Sequence, residues 1–349
     1  MGIPKTVKQL AFRTLSGALK PWLRGRGVIL CQHRILEKAD KSPLSIPRDL
    51  ELSSDYLAKI LDNLRSQGAE FVPLDELMES LAKSSRHSLV AITLDDGYLD
   101  NLSVALPVFE AFSAPFTVYV TTGLIDGTAD PWWYSLQSLV LNNEAITVPG
   151  TPSPSPLPTG NWKEQESAYR ALYRFVGEAG ANRPAALAEI WRANGLENPP
   201  DNGRLFMSWD EIRQLDQSPL ATVGAHTVTH PRLSWLEPDG IRSELEQSRL
   251  RLEAELGHPI KHVAYPHGSE RDLPHGISDL AKAAGFETGT TTIPRNLSPG
   301  DLRVPWTLPR KAIPGEIEDL ELMNRFLGGW DDRFNPRLRR RLAQTKEFR

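Results

Sequence analysis

Residues 90–101, VAITLDDGYLDN, contain an apolar, β-branched run that ends in two adjacent aspartates and a glycine. The apolar run predicts a buried strand. The pair Asp-Gly commonly ends a strand at a surface turn, which is the plainest interpretation of this segment alone. Segments elsewhere in the chain favour a different interpretation, in which Asp95 and Asp96 form part of a functional site.

Similar apolar runs recur along the chain and alternate with amphipathic stretches, a pattern typical of repeated β–α units. We predict strands at 27–33, 89–95, 115–122, 221–226, 261–266, 286–292 and 306–313. We predict helices at 53–67, 74–83, 100–112, 208–217, 237–256 and 275–284. This alternation indicates an α/β fold, either a barrel or a doubly wound sheet, and 349 residues suffice for a sizeable core.

One region departs from the alternation. Residues 148–160, VPGTPSPSPLPTG, predict no regular element because of their prolines and small residues, and helical sequence follows them. We interpret about 126–205 as an insertion within a barrel domain that spans 27–315. A basic segment, 1–26, precedes this domain, and a basic tail, 316–349, follows it.

Composition limits the classes of partner and compartment. The net charge of -4 gives no bias towards nucleic acid, and the basic ends suit either solvated segments or contact with an anionic membrane surface. No apolar run is long enough for a signal-peptide core or a membrane span, so we expect a cytoplasmic protein, either free or peripheral to the inner face of a membrane. Cys31 is the only cysteine, which excludes an intrachain disulfide and leaves nitrogen and oxygen as the main metal ligands.

A second informative segment is VGAHTVTHPRLS, residues 223–234. His226 and His230 follow a predicted strand and are four residues apart, so a helical turn after the strand would bring both imidazoles to one side. Two histidines and one carboxylate form a typical divalent-metal site with an open position, suited to zinc and also to cobalt or iron.

Six polar residues fall at or just beyond the C-terminal ends of predicted strands, where the functional residues of β/α barrels gather. They are Asp95, Asp96, His226, His230, His33 and His267. Successive side chains of a strand point in opposite directions, so Asp95 and Asp96 do not suit the opposed carboxylate pair of a glycosidase. A division of roles fits the two aspartates better, with one as a metal ligand and the other as a general base. A carboxylate near a cation stays ionised at neutral pH, as a base must.

TLDDGYLDN resembles the T-F-D-D-G motif, and HTVTH the H-[ST]-x-x-H motif, of the NodB-homology polysaccharide deacetylases, the family four carbohydrate esterases. ILCQHRI (29–35), AYPHGS (264–269) and LPR (308–310) extend the resemblance over residues 27–312, in consistent order. The resemblance implies a distorted (β/α) barrel of about seven parallel strands that removes acetyl groups from N-acetylated amino sugars with a divalent metal.

Matched position by position, the resemblance implies that Asp95 is the general base and that Asp96, His226 and His230 bind the metal. We expect zinc, with cobalt, nickel or iron as alternatives. The resemblance further implies that the backbone N–H at His267, where the family usually has an aromatic residue, helps to hold the oxyanion.

Two departures from the family pattern concern the groups around the base. Ala264 stands where many members have an arginine that braces the base, and Arg310 of the LPR segment is our candidate substitute. The usual late Leu-x-His general acid is missing, since no histidine follows His275. We therefore expect His33, His267 or His275 to protonate the leaving amine, and we prefer the first two because both end strands.

Several alternatives stay open. Trp132 and Trp133 either stack on sugar rings or anchor the insertion, and Tyr98 and Asn101 either line the cleft or serve local structure. The two departures also fit a non-catalytic carbohydrate-binding protein on the same fold. The same attack by water would serve a formyl group or an O-ester, and the substrate is a polysaccharide, an oligosaccharide or a lipid-linked glycan.

Overall fold

The computed structural model describes residues 26–37, 41–83, 88–149, 156–200, 203–313, 315 and 318–327. Most of the predicted basic N-terminal segment and most of the basic tail therefore lie outside the described residues. Within the described part, no helix is both long enough and apolar enough to cross a membrane.

The described residues alternate between strands and helices, as the sequence predicts. The strands are β1 (Gly27–Gln32), β2 (Arg34–Leu36), β3 (Glu51–Ser53), β4 (Ala69–Phe71), β5 (Ser88–Leu94), β6 (Phe116–Val120), β7 (Ala145–Ile146), β8 (Leu157–Pro158), β9 (Ala221–Ala225), β10 (His262–Ala264), β11 (Thr288–Thr290) and β12 (Lys311–Ala312). The α-helices are α1 (Ser45–Asp49), α2 (Ser54–Ser66), α3 (Leu74–Lys83), α4 (Leu106–Ala111), α5 (Thr122–Ile125), α6 (Trp132–Leu141), α7 (Trp162–Glu178), α8 (Arg183–Ala193), α9 (Trp209–Asp216), α10 (Pro238–Leu256), α11 (Ile277–Ala283) and α12 (Leu320–Leu327).

The main sheet is parallel and follows the order β11-β10-β9-β6-β5-β1-β12, with β4 beside the first half of β5. All seven predicted strands lie along this path. The chain just before β12 also reaches the opposite edge, because Leu308 forms a parallel bridge with Thr290 of β11. This pairing curls the sheet back on itself, so the predicted distorted (β/α) barrel is confirmed.

Strand β5 is apolar on both faces because it is covered on both sides. Val90 and Ile92 pack in the core between the sheet and the helices, whereas Ala91 packs in a second cluster with residues of neighbouring strands. Alternate residues of a strand share a face, so Thr93 and then Asp95 continue the series that begins at Ala91. The end of β5 therefore directs its first aspartate into the interior of the barrel.

The predicted helices are present with small shifts at their ends. The helix predicted at 100–112 begins with a π-helical turn, Asn101–Ala105, before it becomes α-helical at Leu106. Such turns are frequent beside functional sites. The predicted basic tail begins with a packed element, since α12 buries Met323 and Phe326 in the main core.

The region interpreted as an insertion forms a helical layer of its own. Helices α6, α7 and α8 and the antiparallel pair β7–β8 lie between β6 and α9. Their apolar core includes Leu136, Leu172 and Trp191. Tyr98, four residues beyond β5, belongs to the same core and stacks on Phe206 with ring centroids 4.8 Å apart. These contacts attach the layer to the C-terminal end of the sheet.

Candidate metal centre

The Asp-Asp-Gly segment is a turn, but it is buried. Asp95 and Asp96 are each 2% exposed, so the surface-turn interpretation does not hold. Asp96 and Gly97 adopt left-handed conformations, with φ of 77° and 81°. This conformation costs a non-glycine residue about 1–2 kcal/mol, and here it accompanies a carboxylate that lines the same pocket as Asp95. Strand alternation alone did not predict that the two carboxylates share a pocket.

Asp96, His226 and His230 form a group that could hold a metal ion. One ligand atom from each lies within 4.8 Å of the others, and Asp96 Oδ1 is 3.4 Å from Nε2 of both histidines. Ligands bound about 2.1 Å from zinc in a tetrahedron lie about 3.4 Å apart. The three side chains therefore fit a divalent ion in the positions that they occupy.

Both imidazoles are neutral at pH 7, as metal ligands must be. Burial lowers the pKa of His226, and it lowers the pKa of His230 well below its usual value. Nδ1 of His226 is 2.8 Å from the carbonyl oxygen of Ala264, so Nδ1–H donates there and Nε2 keeps its lone pair for the ion. Ala264 thus supports the site through its backbone.

The chain between the two histidines is not helical, so the imidazoles are brought together in a different way from the helical turn that their spacing would allow. Thr227 and His230 have left-handed φ values of 66° and 55°. Glu244 of α10 accepts hydrogen bonds from the N–H groups of Val228 and Thr229, at 2.7 and 2.9 Å. Because a side chain satisfies these amides, the loop brings both imidazoles to one carboxylate without helical geometry.

Arg310 forms a buried ion pair with Asp95. Nη1 lies 2.6 Å from Oδ1 and Nη2 lies 2.8 Å from Oδ2, while Nη1 and Nε also donate to Thr93 Oγ1 and to the carbonyl oxygen of Thr291. Burial raises the pKa of the Asp95 carboxyl, whereas the charge and hydrogen bonds of Arg310, together with the neighbouring His226 and His33, lower it. The net result is a pKa well below its usual value. Arg310 therefore contacts the carboxylate that it was expected to brace.

The candidate proton donors fall in different places. His33 and His267 line the pocket, whereas His275 is exposed and is not among the lining residues. Asn101 donates from Nδ2 to the carbonyl oxygen of His33 at 2.9 Å, so its role is to support the loop that carries His33. His267 has a φ of 60°, and its ring centroid is 5.2 Å from that of His230.

The pocket has an aromatic wall that the insertion supplies. Trp132 and Trp133 are 4% and 6% exposed and still line the pocket. Each of them therefore both packs within the insertion and faces the pocket. Tyr169 and Tyr173 of α7 complete the wall. Tyr98 is not part of the wall, and its hydroxyl accepts a hydrogen bond from Trp133 Nε1 at 3.3 Å.

Sequence reasoning missed three supporting residues: Thr93, Asp100 and Glu244. Asp100 accepts hydrogen bonds from Arg34 Nε at 2.8 Å and from the backbone N–H of Ile35 at 2.9 Å, which fixes the chain beside His33. Thr93 could have been found, because it lies two positions before an aspartate on the same face of β5. No local sequence pattern identifies Asp100 or Glu244 as a supporting residue.

Comparisons with known proteins agree with this description. The profile of the family described as "Polysaccharide deacetylase" matches residues 82–289. No curated protein matches the sequence at a significant level.

Several solved structures share the fold. Streptococcus pyogenes deacetylase PplD, in complex with acetate, is 17% identical, with coverage of 85% of this chain and 96% of that chain and a TM-score of 0.54. IcaB from Ammonifex degensii is 19% identical, with coverage of 87% and 97% and a TM-score of 0.54. A de-N-acetylase from Aggregatibacter actinomycetemcomitans is 16% identical, with coverage of 85% and 98% and a TM-score of 0.53. At these identities the similarity shows the fold alone.

We predict that Arg310→Met lowers the free energy of unfolding by about 3–5 kcal/mol at pH 7, because Asp95 is left buried without its countercharge. The depressed pKa of Asp95 makes the contribution of the pair present above about pH 4 and lost as the pH falls further. Urea unfolding of metal-free protein at pH 7 and pH 3 measures both effects. Arg303→Met, at an exposed arginine, is the control, and an equal loss at the two pH values would contradict the assignment.

A second prediction concerns metal content. His226→Gln is expected to lower the affinity for zinc at least about 10-fold, because it removes one of three ligands. Elemental analysis after dialysis against zinc should find one ion per wild-type chain and much less in the variant. His258→Gln, an exposed histidine paired with Asp216, is the control. Retention of a full zinc equivalent by the His226 variant would show that the ion binds elsewhere.

Proposed function

Because this chain belongs to the polysaccharide deacetylase family, we propose that it hydrolyses the acetamido group of an N-acetylated amino sugar in a polysaccharide, an oligosaccharide or a lipid-linked glycan. One observation carries the proposal: a metal-ligand group and the Asp95–Arg310 ion pair line or adjoin the same pocket. An ionised carboxylate beside an ion site is what the attack of water on an amide requires.

In this proposal Asp96, His226 and His230 hold the ion, and zinc is preferred because two imidazoles, one carboxylate and an open position suit it. Cobalt, nickel and iron accept similar donors and are the alternatives. When bound, the ion supplies positive charge that polarises the acetyl carbonyl and lowers the pKa of water to about 7. The protein contributes two imidazoles that burial keeps neutral, so they need lose no proton before binding.

Asp95 acts as the general base. Its carboxylate lines the pocket and is ionised at neutral pH, because Arg310 holds its pKa well below the usual value. The two hydrogen bonds from Arg310 also fix the orientation of both carboxylate oxygens. A base with so low a pKa is weak, so it depends on water that is already acidified, and a positioned base contributes about 10²–10⁴-fold to the rate.

The departing amine must gain a proton, and His33 or His267 supplies it. Burial holds the pKa of His267 well below its usual value and disfavours its protonated form, so His33 is the better candidate. Both side chains line the pocket. They reach it from different parts of the sheet, since His33 follows β1, beside the strand that leads to Asp95, and His267 follows β10, beside the strand that leads to His226. These different positions make the contributions of the two histidines separable by substitution.

The ionised state of the Asp95 carboxylate favours hydrolysis over simple glycan binding as the function of this pocket. A binding protein has no need of a carboxylate that is kept ionised beside a metal-ligand group. The missing family arginine was one motive for the binding alternative, and the contact of Arg310 with Asp95 removes that motive. Assays with acetyl, formyl and O-ester substrates distinguish among the acyl groups.

We predict that Asp95→Asn lowers acetate release from N-acetylglucosamine oligomers at least about 10²-fold, because the base is lost while the three metal ligands remain. The measurement is acetate release by zinc-loaded protein, with zinc content determined on the same samples. Asp62→Asn, at an exposed position of α2, is the control. Normal turnover by the Asp95 variant contradicts the assignment, and a wild type that binds oligomers but releases no acyl group contradicts the proposed function.

The proton donor is identified by a comparison of substrates. Replacement of the donor, in His33→Gln or His267→Gln, is expected to lower kcat about 10²–10⁴-fold on the amide, with little effect on 4-nitrophenyl acetate, whose leaving group needs no proton. The readout is the ratio of the two kcat values. His258→Gln should leave this ratio unchanged because the side chain is exposed on the surface. If neither pocket histidine changes the ratio, the donor is a different group.

A further inference from the structure

The turn after β10, residues 265–268, carries His267 to the pocket in a left-handed conformation. The φ of His267 is 60°, and Gly268 follows it with a φ of 62°. A left-handed φ is unfavourable for a histidine because its Cβ crowds the following carbonyl oxygen. Such a conformation persists only where neighbouring groups fix it, so specific contacts must hold this turn.

Thr292, two residues beyond the end of β11, holds the turn from the neighbouring strand. Its hydroxyl donates to the carbonyl oxygen of His267 at 2.5 Å, and its backbone N–H donates to the carbonyl oxygen of Gly268 at 2.9 Å. A Cβ at Gly268 would lie 2.9 Å from the backbone nitrogen of Thr292, so the two backbones are in close contact. Thr292 therefore binds two consecutive carbonyl groups of the turn.

His267 has two nitrogen atoms without a hydrogen-bond partner in the part of the chain that the structure describes. Nε2 is buried and unpaired, and the backbone N–H donates to no described acceptor. His267 lines the pocket, and its ring centroid is 5.2 Å from that of His230, one of the three candidate metal ligands. Because buried polar groups are normally paired, these nitrogen atoms are suited to contact a bound molecule.

We propose that Thr292 is a positioning residue, whose hydroxyl holds His267 in the orientation in which His267 contacts the substrate. This inference rests on the proposed function of the pocket. In amide hydrolysis, the negative charge that develops on the acyl oxygen is stabilised best by donors that are already in place. A turn that a hydrogen bond holds in the left-handed region keeps its donors in place, whereas a turn that can leave this region must reorganise during the reaction.

The same short segment also contacts the arginine that braces the general base. The carbonyl oxygen of Thr291, the residue before Thr292, accepts a hydrogen bond from Nε of Arg310 at 3.0 Å. Arg310 in turn binds both carboxylate oxygens of Asp95. The chain just after β11 therefore connects the turn at His267 with the ion pair of the base. Removal of the Thr292 hydroxyl breaks only the first connection, because the second uses a backbone group.

The test compares variants of two threonines in the zinc-loaded full chain. Thr292→Val removes the hydroxyl and keeps the backbone N–H, and Thr292→Ser keeps both. We expect Thr292→Val to lower kcat for acetate release about 10²-fold with little change in KM, because a small misplacement of a group at the site is enough for such a loss. Thr292→Ser should restore most of kcat.

Thr288→Val is the matched control. Thr288 Oγ1 lies 2.8 Å from Nδ1 of His262, a threonine–histidine contact at the first residues of the same two strands, β11 and β10. Neither residue is among those that line the pocket. This variant therefore loses a comparable contact and should keep the kcat of the wild type.

A second readout does not depend on turnover. The chain has eight histidines, and the ring Cε1–H signals of isotope-labelled protein are assigned by single substitutions such as His267→Gln. Without substrate, we expect Thr292→Val to shift the His267 signal and Thr292→Ser to restore it, whereas Thr288→Val should shift the signal of His262. If Thr292→Val does not fold, Thr292→Ala makes the same comparison.

The two readouts together decide the proposal. An unchanged His267 signal in Thr292→Val overturns it, because Thr292 would then not hold His267. A shifted signal with the kcat of the wild type overturns it as well, because the orientation of His267 would not matter to the reaction. A wild type that releases no acyl group contradicts the proposed function instead, and the His267 signal still decides whether Thr292 positions this residue.

Discussion

Two adjacent carboxylates at the end of one buried strand both stay ionised only if each has its own positive charge, because like charges repel strongly in a medium of low dielectric constant. Arg310 meets this requirement for Asp95, at 2.6 and 2.8 Å. Asp96 Oδ1 instead lies 3.4 Å from Nε2 of both His226 and His230, the group that could hold a metal ion. The same last segment that carries Arg310 also pairs with β11 and β1, and closure of the barrel is therefore coupled to assembly of the site.

The sequence predicted those parts of the site that depend on local pattern. An apolar run that ends in Asp-Asp-Gly, and a second strand followed by two histidines, were enough to bring Asp96, His226 and His230 under consideration. The ion-pair partner of Asp95 was harder to predict, because Arg310 is 215 residues away in sequence and no periodicity links the two residues. The shape of the loop between the two histidines could not be predicted for a similar reason: Glu244, on a later helix, accepts the hydrogen bonds of its backbone N–H groups.

The insertion and the barrel contribute different kinds of side chain to the pocket. Strand ends of the barrel provide the metal-ligand group, the Asp95–Arg310 pair and the two candidate proton donors. The insertion provides an aromatic wall, formed by Trp132, Trp133, Tyr169 and Tyr173. The polar residues of the pocket therefore come from the strand ends, whereas the insertion contributes aromatic side chains. Trp132 belongs to both the packing of this layer and the pocket, which is why sequence alone could not separate its two interpretations.

The central claim is that Asp96, His226 and His230 hold one divalent cation beside an ionised Asp95. Crystals grown with zinc and measured at the zinc absorption edge test this claim most directly. We predict one anomalous peak about 2.0–2.2 Å from Asp96 Oδ1 and from Nε2 of each histidine, with Asp95 still paired to Arg310. A peak at another position, or the three side chains turned away from one another in the presence of zinc, would contradict the claim.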